Sequence, residues 1–126
     1  MTDKLEELVA VQTKFMDILG VERLHQEYLQ PETFDNSAHS HDIQKHIAHL
    51  MFALVCELGE IGDELNWKSW KKTRHPVNMG NLKMEFIDAL HFLLEMMIMC
   101  GMTANDIHFE YLKKMAENID RQKRGY

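Results

Sequence analysis

Cysteine is scarce in this chain: two in 126 residues, Cys56 and Cys100. Both fall in apolar runs of helical spacing. They read as buried free thiols in a reducing compartment, which excludes a disulfide framework. Positive charge is also short, with 14 Lys and Arg against 20 Asp and Glu and a formal net charge of −6. That balance leaves no cationic surplus for a nucleic acid polymer, so an anionic ligand needs local cations or a metal. No apolar run reaches the roughly 20 residues of a membrane span, and Met1-Thr2-Asp3-Lys4 does not open a signal peptide. The expected location is therefore cytoplasmic, with neither membrane nor nucleic acid polymer as a partner. The chain also lacks repeats, a linker, a Gly-rich phosphate loop and the alternating pattern of a βαβ unit.

What is present is an ordinary globular composition, 45% apolar and 27% charged, at a length that suits one domain over residues 1–126 with a real core. Apolar residues recur at helical spacing. Residues 3–19 carry Leu5, Leu8, Val9, Phe15, Met16 and Leu19, with Thr2 as N-cap and Gly20 as the stop. Gln12 interrupts that apolar stripe; it suits either a polar group satisfied at a boundary or a contact to a ligand. A shorter helix is expected over 21–29, ending before Pro31, and residues 31–41 have loop composition. Residues 42–66 form one long helix with the stripe Ile43, Ile47, Leu50, Met51, Leu54, Leu58, Ile61 and Leu65. Gly59 and Gly62 within it suit either simple tolerance or the close approach of a helix or ligand. His39, His41, His46 and His49 lack the cysteine or fixed third ligand of a zinc site and read as polar surface. A further helix spans 81–100, capped by Asn81 and closed by Gly101. The capping-box variant Thr103-Ala-Asn-Asp106 opens the last helix. The fold is therefore all-α, a helical bundle of four major helices and a short fifth. The Met96-Met97-Ile98-Met99 run marks a core or a dimer interface.

Chemistry concentrates in two acidic pairs, Glu57-Leu-Gly-Glu60 and Glu85-Phe-Ile-Asp88. Spacing i, i+3 points both acids of a pair the same way, and Glu64 continues the first stripe within about 60°. Carboxylates clustered on otherwise apolar helices repel one another or stay protonated, unless a hard divalent cation takes their oxygens. A solvated acidic face is the simpler alternative for either pair alone. Between the pairs lies the one dense basic and aromatic stretch, Trp67-Lys68-Ser69-Trp70-Lys71-Lys72-Thr73-Arg74-His75-Pro76. It suits either phosphate neutralisation and base stacking or a helix C-terminus with two core tryptophans.

These blocks together resemble the dimeric dUTPases of the all-α NTP pyrophosphatase (MazG-like) superfamily, which carry ExxE, a spacer and ExxD. Trp67-Lys68-Ser69-Trp70 is similar to that family's aromatic-Lys-x-Trp element, and Asp88-Ala-Leu-His91-Phe92 to its Asp-x-Leu-His-Phe. Lys114…Asn118-x-x-Arg121-Gln122-x-x-Gly125-Tyr126 is similar to its C-terminal phosphate-binding block. Met115 and Asp63 depart from asparagines common there, while Glu64 matches. The resemblance implies Mg²⁺ held by Glu57, Glu60, Glu85 and Asp88, with Glu57 or Glu60 as general base. Lys68, Lys114, Asn118, Arg121 and Tyr126 would hold phosphates, with Trp70 and His91 also at the substrate and Gln12 the best candidate for base contact. The implied reaction is hydrolysis of a nucleoside triphosphate to monophosphate and pyrophosphate, dUTP first, with a dCTP-cleaving or broad house-cleaning enzyme as the alternative. A non-enzymatic metal-binding or dimerisation module is the remaining class. A di-iron bundle needs a Glu-x-x-His pair on each of two helices, which this sequence lacks. A homodimer or dimer of dimers is expected, both from the resemblance and from apolar stripes too extensive for one short bundle.

Overall fold

The computed structural model describes residues 3–20 and 38–125. Four helices occupy them: α1 (Lys4–Ile18), α2 (Ala38–Glu64), α3 (Met79–Met99) and α4 (Ala104–Lys123), with no strand among the described residues. The short helix expected over 21–29 and most of the loop after it lie outside the described residues, as does Tyr126.

Local signals place the helix ends, with three corrections. The N-cap of α1 is Asp3, not Thr2: its Oδ1 accepts from the amides of Leu5 (2.9 Å) and Glu6 (3.1 Å), and a carboxylate also complements the positive helix end. α2 begins at Ala38, not 42, and stops at Glu64; its 27 residues make a rod about 40 Å long. The cap of α3 is Asn78, whose Oδ1 accepts from the amide of Asn81 at 3.0 Å. Asn81 is the donor in that bond because the helix already runs from Met79. At α4 the capping box forms in both directions between Thr103 and Asp106. Those hydrogen bonds hold the Asp106 carboxyl below its usual range. Gly101, at φ +79°, supplies the left-handed residue that ends α3, and the chain turns by 105° into α4.

α2 and α3 form the main packed pair. Glu57 meets Glu85 and Asp88, and eleven residues back His46 meets Glu95, so one helix number rises as the other falls: the two are antiparallel. α1 lies against α3 and touches α4. The core is Met16 of α1, Ile43 and Leu50 of α2, and Leu94, Ile98 and Met99 of α3. Burial of each such side chain contributes roughly 1.5–3 kcal/mol. The Met-rich run thus enters the core of the chain itself. Several residues expected to be buried are instead exposed, among them Leu8, Phe15, Leu58 and Leu65. Both cysteines are also exposed in the single chain, against expectation. A 20-residue apolar pattern encircles more of a helix than one neighbour can cover. Among the described residues no single helix is long and apolar enough to cross a membrane.

Candidate functional site

The antiparallel pairing of α2 and α3 brings the two acidic pairs together. One carboxylate oxygen from each of Glu57, Glu85 and Asp88 lies within 4.8 Å of the others. Glu60 is exposed and is not one of the three, yet it acts on two of them. Its side chain is the largest cause lifting Glu85 to a pKa of about 7, followed by burial and the charges of Glu60, Glu57 and Asp88. Glu57 is also raised, chiefly by burial and then by Glu60 and Asp88. The Oε2 atoms of Glu57 and Glu85 are buried and make no hydrogen bond. Buried acceptors without a donor are costly. Three converging carboxylate oxygens, two of them on such residues, are the donor set a hard divalent cation takes.

This has a measurable consequence. A raised carboxyl keeps its proton in the folded chain after the unfolded chain has released its own. Folding is therefore favoured at low pH and loses that contribution as pH climbs from 4.5 through about 7. In chelator, the melting temperature is expected to fall between about pH 5 and pH 8, and a divalent cation to suppress the fall. A melting temperature indifferent to both pH and cation would show that the trio is merely solvated.

Two of the trio, Glu57 and Asp88, line an apolar cleft of about 620 Å³, walled otherwise by Val11, Gln12, Phe15 and Leu19 of the α1 end and by His91, Phe92 and Glu95 of α3. The size suits a small organic ligand. Spacing explains the wall: 88, 91, 92 and 95 lie on one face of α3, and 12, 15 and 19 on one face of α1. Gln12 and Glu95 are the two buried polar residues among those described, 6% and 5% exposed. Burial raises the Glu95 carboxyl, and His46 opposes that rise. The His46 Nε2 sits 3.7 Å from Glu95 Oε1, so His46 faces inward rather than being the polar surface its composition suggests. Sequence reading passed over the His46–Glu95 pair. Its signal was there, an acid inside Phe92-Leu-Leu-Glu95-Met-Met.

Other candidates stand elsewhere. Lys68 lines a second hollow of about 400 Å³ with Gly62, Asp63, Trp67, Lys71 and Arg74. The loop around it is closed by Asn66, whose amide donates to the carbonyl of His75 at 2.8 Å and accepts from its N–H at 3.1 Å. Trp70 is exposed, edge-on to Trp67 at 5.6 Å, and lines neither space. The two tryptophans are thus on the surface rather than in the core. A side chain at Gly59 would meet open space, and one at Gly62 only the indole of Trp67 at 3.8 Å; crowding does not require either glycine. Lys114 pairs with Glu117 at 3.4 Å on α4. Neither it, Asn118 nor Arg121 lines the cleft. Tyr126 lies outside the described residues.

Among the described residues, helices alone, with carboxylates from two of them clustered beside an apolar cleft, define an all-α protein with a candidate acidic site. Residues 4–103 match the sequence model of a family described as dUTPase. The chain belongs to that family. It is 38% identical over 71 residues to a dCTP pyrophosphatase of Enterobacteria phage LZ5, covering 48% of this chain and 41% of that protein. To a dCTP pyrophosphatase of Enterobacteria phage T4 it is 32% identical over 71 residues, covering 48% and 42%. The chain thus spans about two fifths of the length of these curated relatives. No solved structure matches it.

Proposed function

We propose that this chain is a Mg²⁺-dependent nucleoside triphosphate pyrophosphohydrolase acting on a pyrimidine deoxynucleotide, dUTP or dCTP, and releasing the monophosphate and pyrophosphate. The observation that carries this reading is the convergence of Glu57, Glu85 and Asp88, the first and last of which line an apolar cleft. The family is described as dUTPase, and the two phage relatives are named for dCTP. Both substrates fit the same chemistry.

Water attacks the α-phosphorus and the bond to the oxygen bridging to the β-phosphorus breaks, which demands charge neutralisation and an in-line nucleophile. When bound, Mg²⁺ supplies that neutralisation and lowers the pKa of water. Glu57, Glu85 and Asp88 would hold the cation. Glu60 stands beside Glu57 and Glu85, and either Glu57 or Glu60 would accept the proton of the attacking water. The base lies between Phe15 and Phe92, with His91 and Gln12 at hand for polar contact. Lys68, Lys114, Asn118, Arg121 and Tyr126 are the cationic and hydrogen-bonding groups assigned to the phosphates by family resemblance.

The chain is proposed to work as a homodimer or a dimer of dimers. Exposed apolar stripes support this: Met51, Phe52, Val55 and Leu58 on α2, and Phe86, Ile87, Leu90 and Leu93 on α3. Soluble monomers rarely leave such patches open.

The test is a panel of deoxynucleoside triphosphates with and without Mg²⁺, scored for pyrophosphate. Release that needs the cation and a pyrimidine supports the reading. A colourless, metal-binding protein that cleaves none of them would make it a non-enzymatic helical module.

A further inference from the structure

Glu95 is not needed by the reaction just described, and it sits where charge is expensive. It is 5% exposed and forms part of the apolar wall of the cleft. The partner given by the structure is His46, whose Nε2 is 3.7 Å away and makes no hydrogen bond. That distance allows electrostatic attraction but is too long for a hydrogen bond. Glu95 thus brings to the cleft wall a carboxylate that His46 approaches without hydrogen-bonding, in largely apolar surroundings. Its position along α3 is informative too. Asp88 and Glu95 are two turns apart on one face, about 10 Å along the helix. A ligand anchored by its phosphates at the trio and lying along α3 would bring its far end to Glu95.

We propose that Glu95 is a specificity-determining residue: its carboxylate, steadied by His46, accepts the exocyclic 4-amino group of a cytosine ring and so selects dCTP over dUTP. This rests on the pyrophosphohydrolase reading above and narrows its substrate. The argument is one of donors and acceptors. Cytosine presents an amino donor at position 4, where uracil presents a carbonyl acceptor. In its ionised form, which His46 favours and burial opposes, the carboxylate only accepts. Set against position 4 it bonds the amino group of cytosine and repels the carbonyl of uracil. Turned instead toward the N3–H of uracil, it would be flanked by two carbonyl oxygens. Gln12, buried on the facing helix, offers both a donor and an acceptor. It can serve either base, and so leaves the choice to Glu95. Phe15 and Phe92 supply apolar walls that do not distinguish the two rings.

A site built to bond a substrate N–H rejects the analogue lacking it strongly, by factors up to about 10⁴–10⁵. Here kcat/KM for dCTP is expected to exceed that for dUTP by at least ~10-fold in the wild-type protein. Glu95→Gln keeps the side chain's shape and can present either an oxygen or an N–H. It is expected to bring the two substrates to within a few-fold of each other, by lowering dCTP and sparing or raising dUTP. The ratio is the decisive readout, because a merely structural role would depress both substrates together. Helical circular dichroism of the variant checks that it folds. Equal losses on both nucleotides in a folded Glu95→Gln protein would overturn the role of Glu95, as would a wild type that prefers dUTP, and either result leaves the pyrophosphohydrolase reading standing. No pyrophosphate from any nucleotide in the wild type would overturn that reading, and this inference with it.

Discussion

Glu85→Gln and Asp88→Asn are each expected to cut turnover by at least ~100-fold, and in chelator each variant is expected to melt above the wild type. The first effect follows from the donor set. Loss of even an outer partner of a metal site commonly costs 10–100-fold in affinity or activity, and these two residues supply oxygens of the trio itself. The second effect has the opposite sign because the clustered carboxylates repel one another when no cation is bound. Glu85 is lifted to about 7 by Glu60, burial and its acidic neighbours, so at pH 8 the folded chain holds repelling charges that unfolding would separate. A glutamine at position 85 removes one of those charges, and its amide gives the neighbouring carboxylates a donor they lack. Opposite movements of activity and melting temperature separate a ligand-holding cluster from a structural one. Assays at ordinary Mg²⁺ and thermal melts in EDTA make the check, and wild-type activity in either variant would sink the site.

The double variant Phe52→Asp, Phe86→Asp is expected to turn an assembled protein into a species of one chain mass, 14.9 kDa, by sedimentation. Phe52 and Phe86 are 65% and 54% exposed in the single chain, so a carboxylate at either position costs the fold of that chain little. Placed inside an interface, the same carboxylates would be buried without partners, which is strongly unfavourable. Neither residue lines the cleft, so loss of assembly is read independently of ligand binding. A wild type that sediments as a monomer at micromolar concentration would contradict the dimer, and a double variant that stays assembled would move the interface to another face.

Family membership agrees with the motif order that the sequence displays: ExxE, the tryptophan–lysine element and ExxD fall within the matched residues 4–103. The C-terminal block lies beyond them. Its groups in the described residues sit on α4, which the 105° turn at Gly101 carries away from the line of α3. Spacing on a sequence could not show that, because the direction a helix takes after a glycine turn depends on what it packs against.

The sequence by itself determined the helices and the acidic pairs. Apolar residues recurring every three to four positions, capping residues and glycine stops act over a few residues and are legible without a fold. The Thr103–Asp106 capping box is such a feature, and so is the common direction of Glu57 with Glu60 and of Glu85 with Asp88. Tertiary structure decided everything that joins residues far apart in the chain. It brought Glu57, with Glu60 beside it, against Glu85 and Asp88 of the other helix, and it turned His46 inward against Glu95. It sent the Met96–Met99 run into the core while leaving Phe52 and Phe86 outside. It also made one cleft from Gln12, Phe15, Phe92 and Glu95. The physical reason is that periodicity says which face of a helix is apolar, but which part of that face a neighbour covers depends on the antiparallel register of α2 on α3 and on where α1 crosses them.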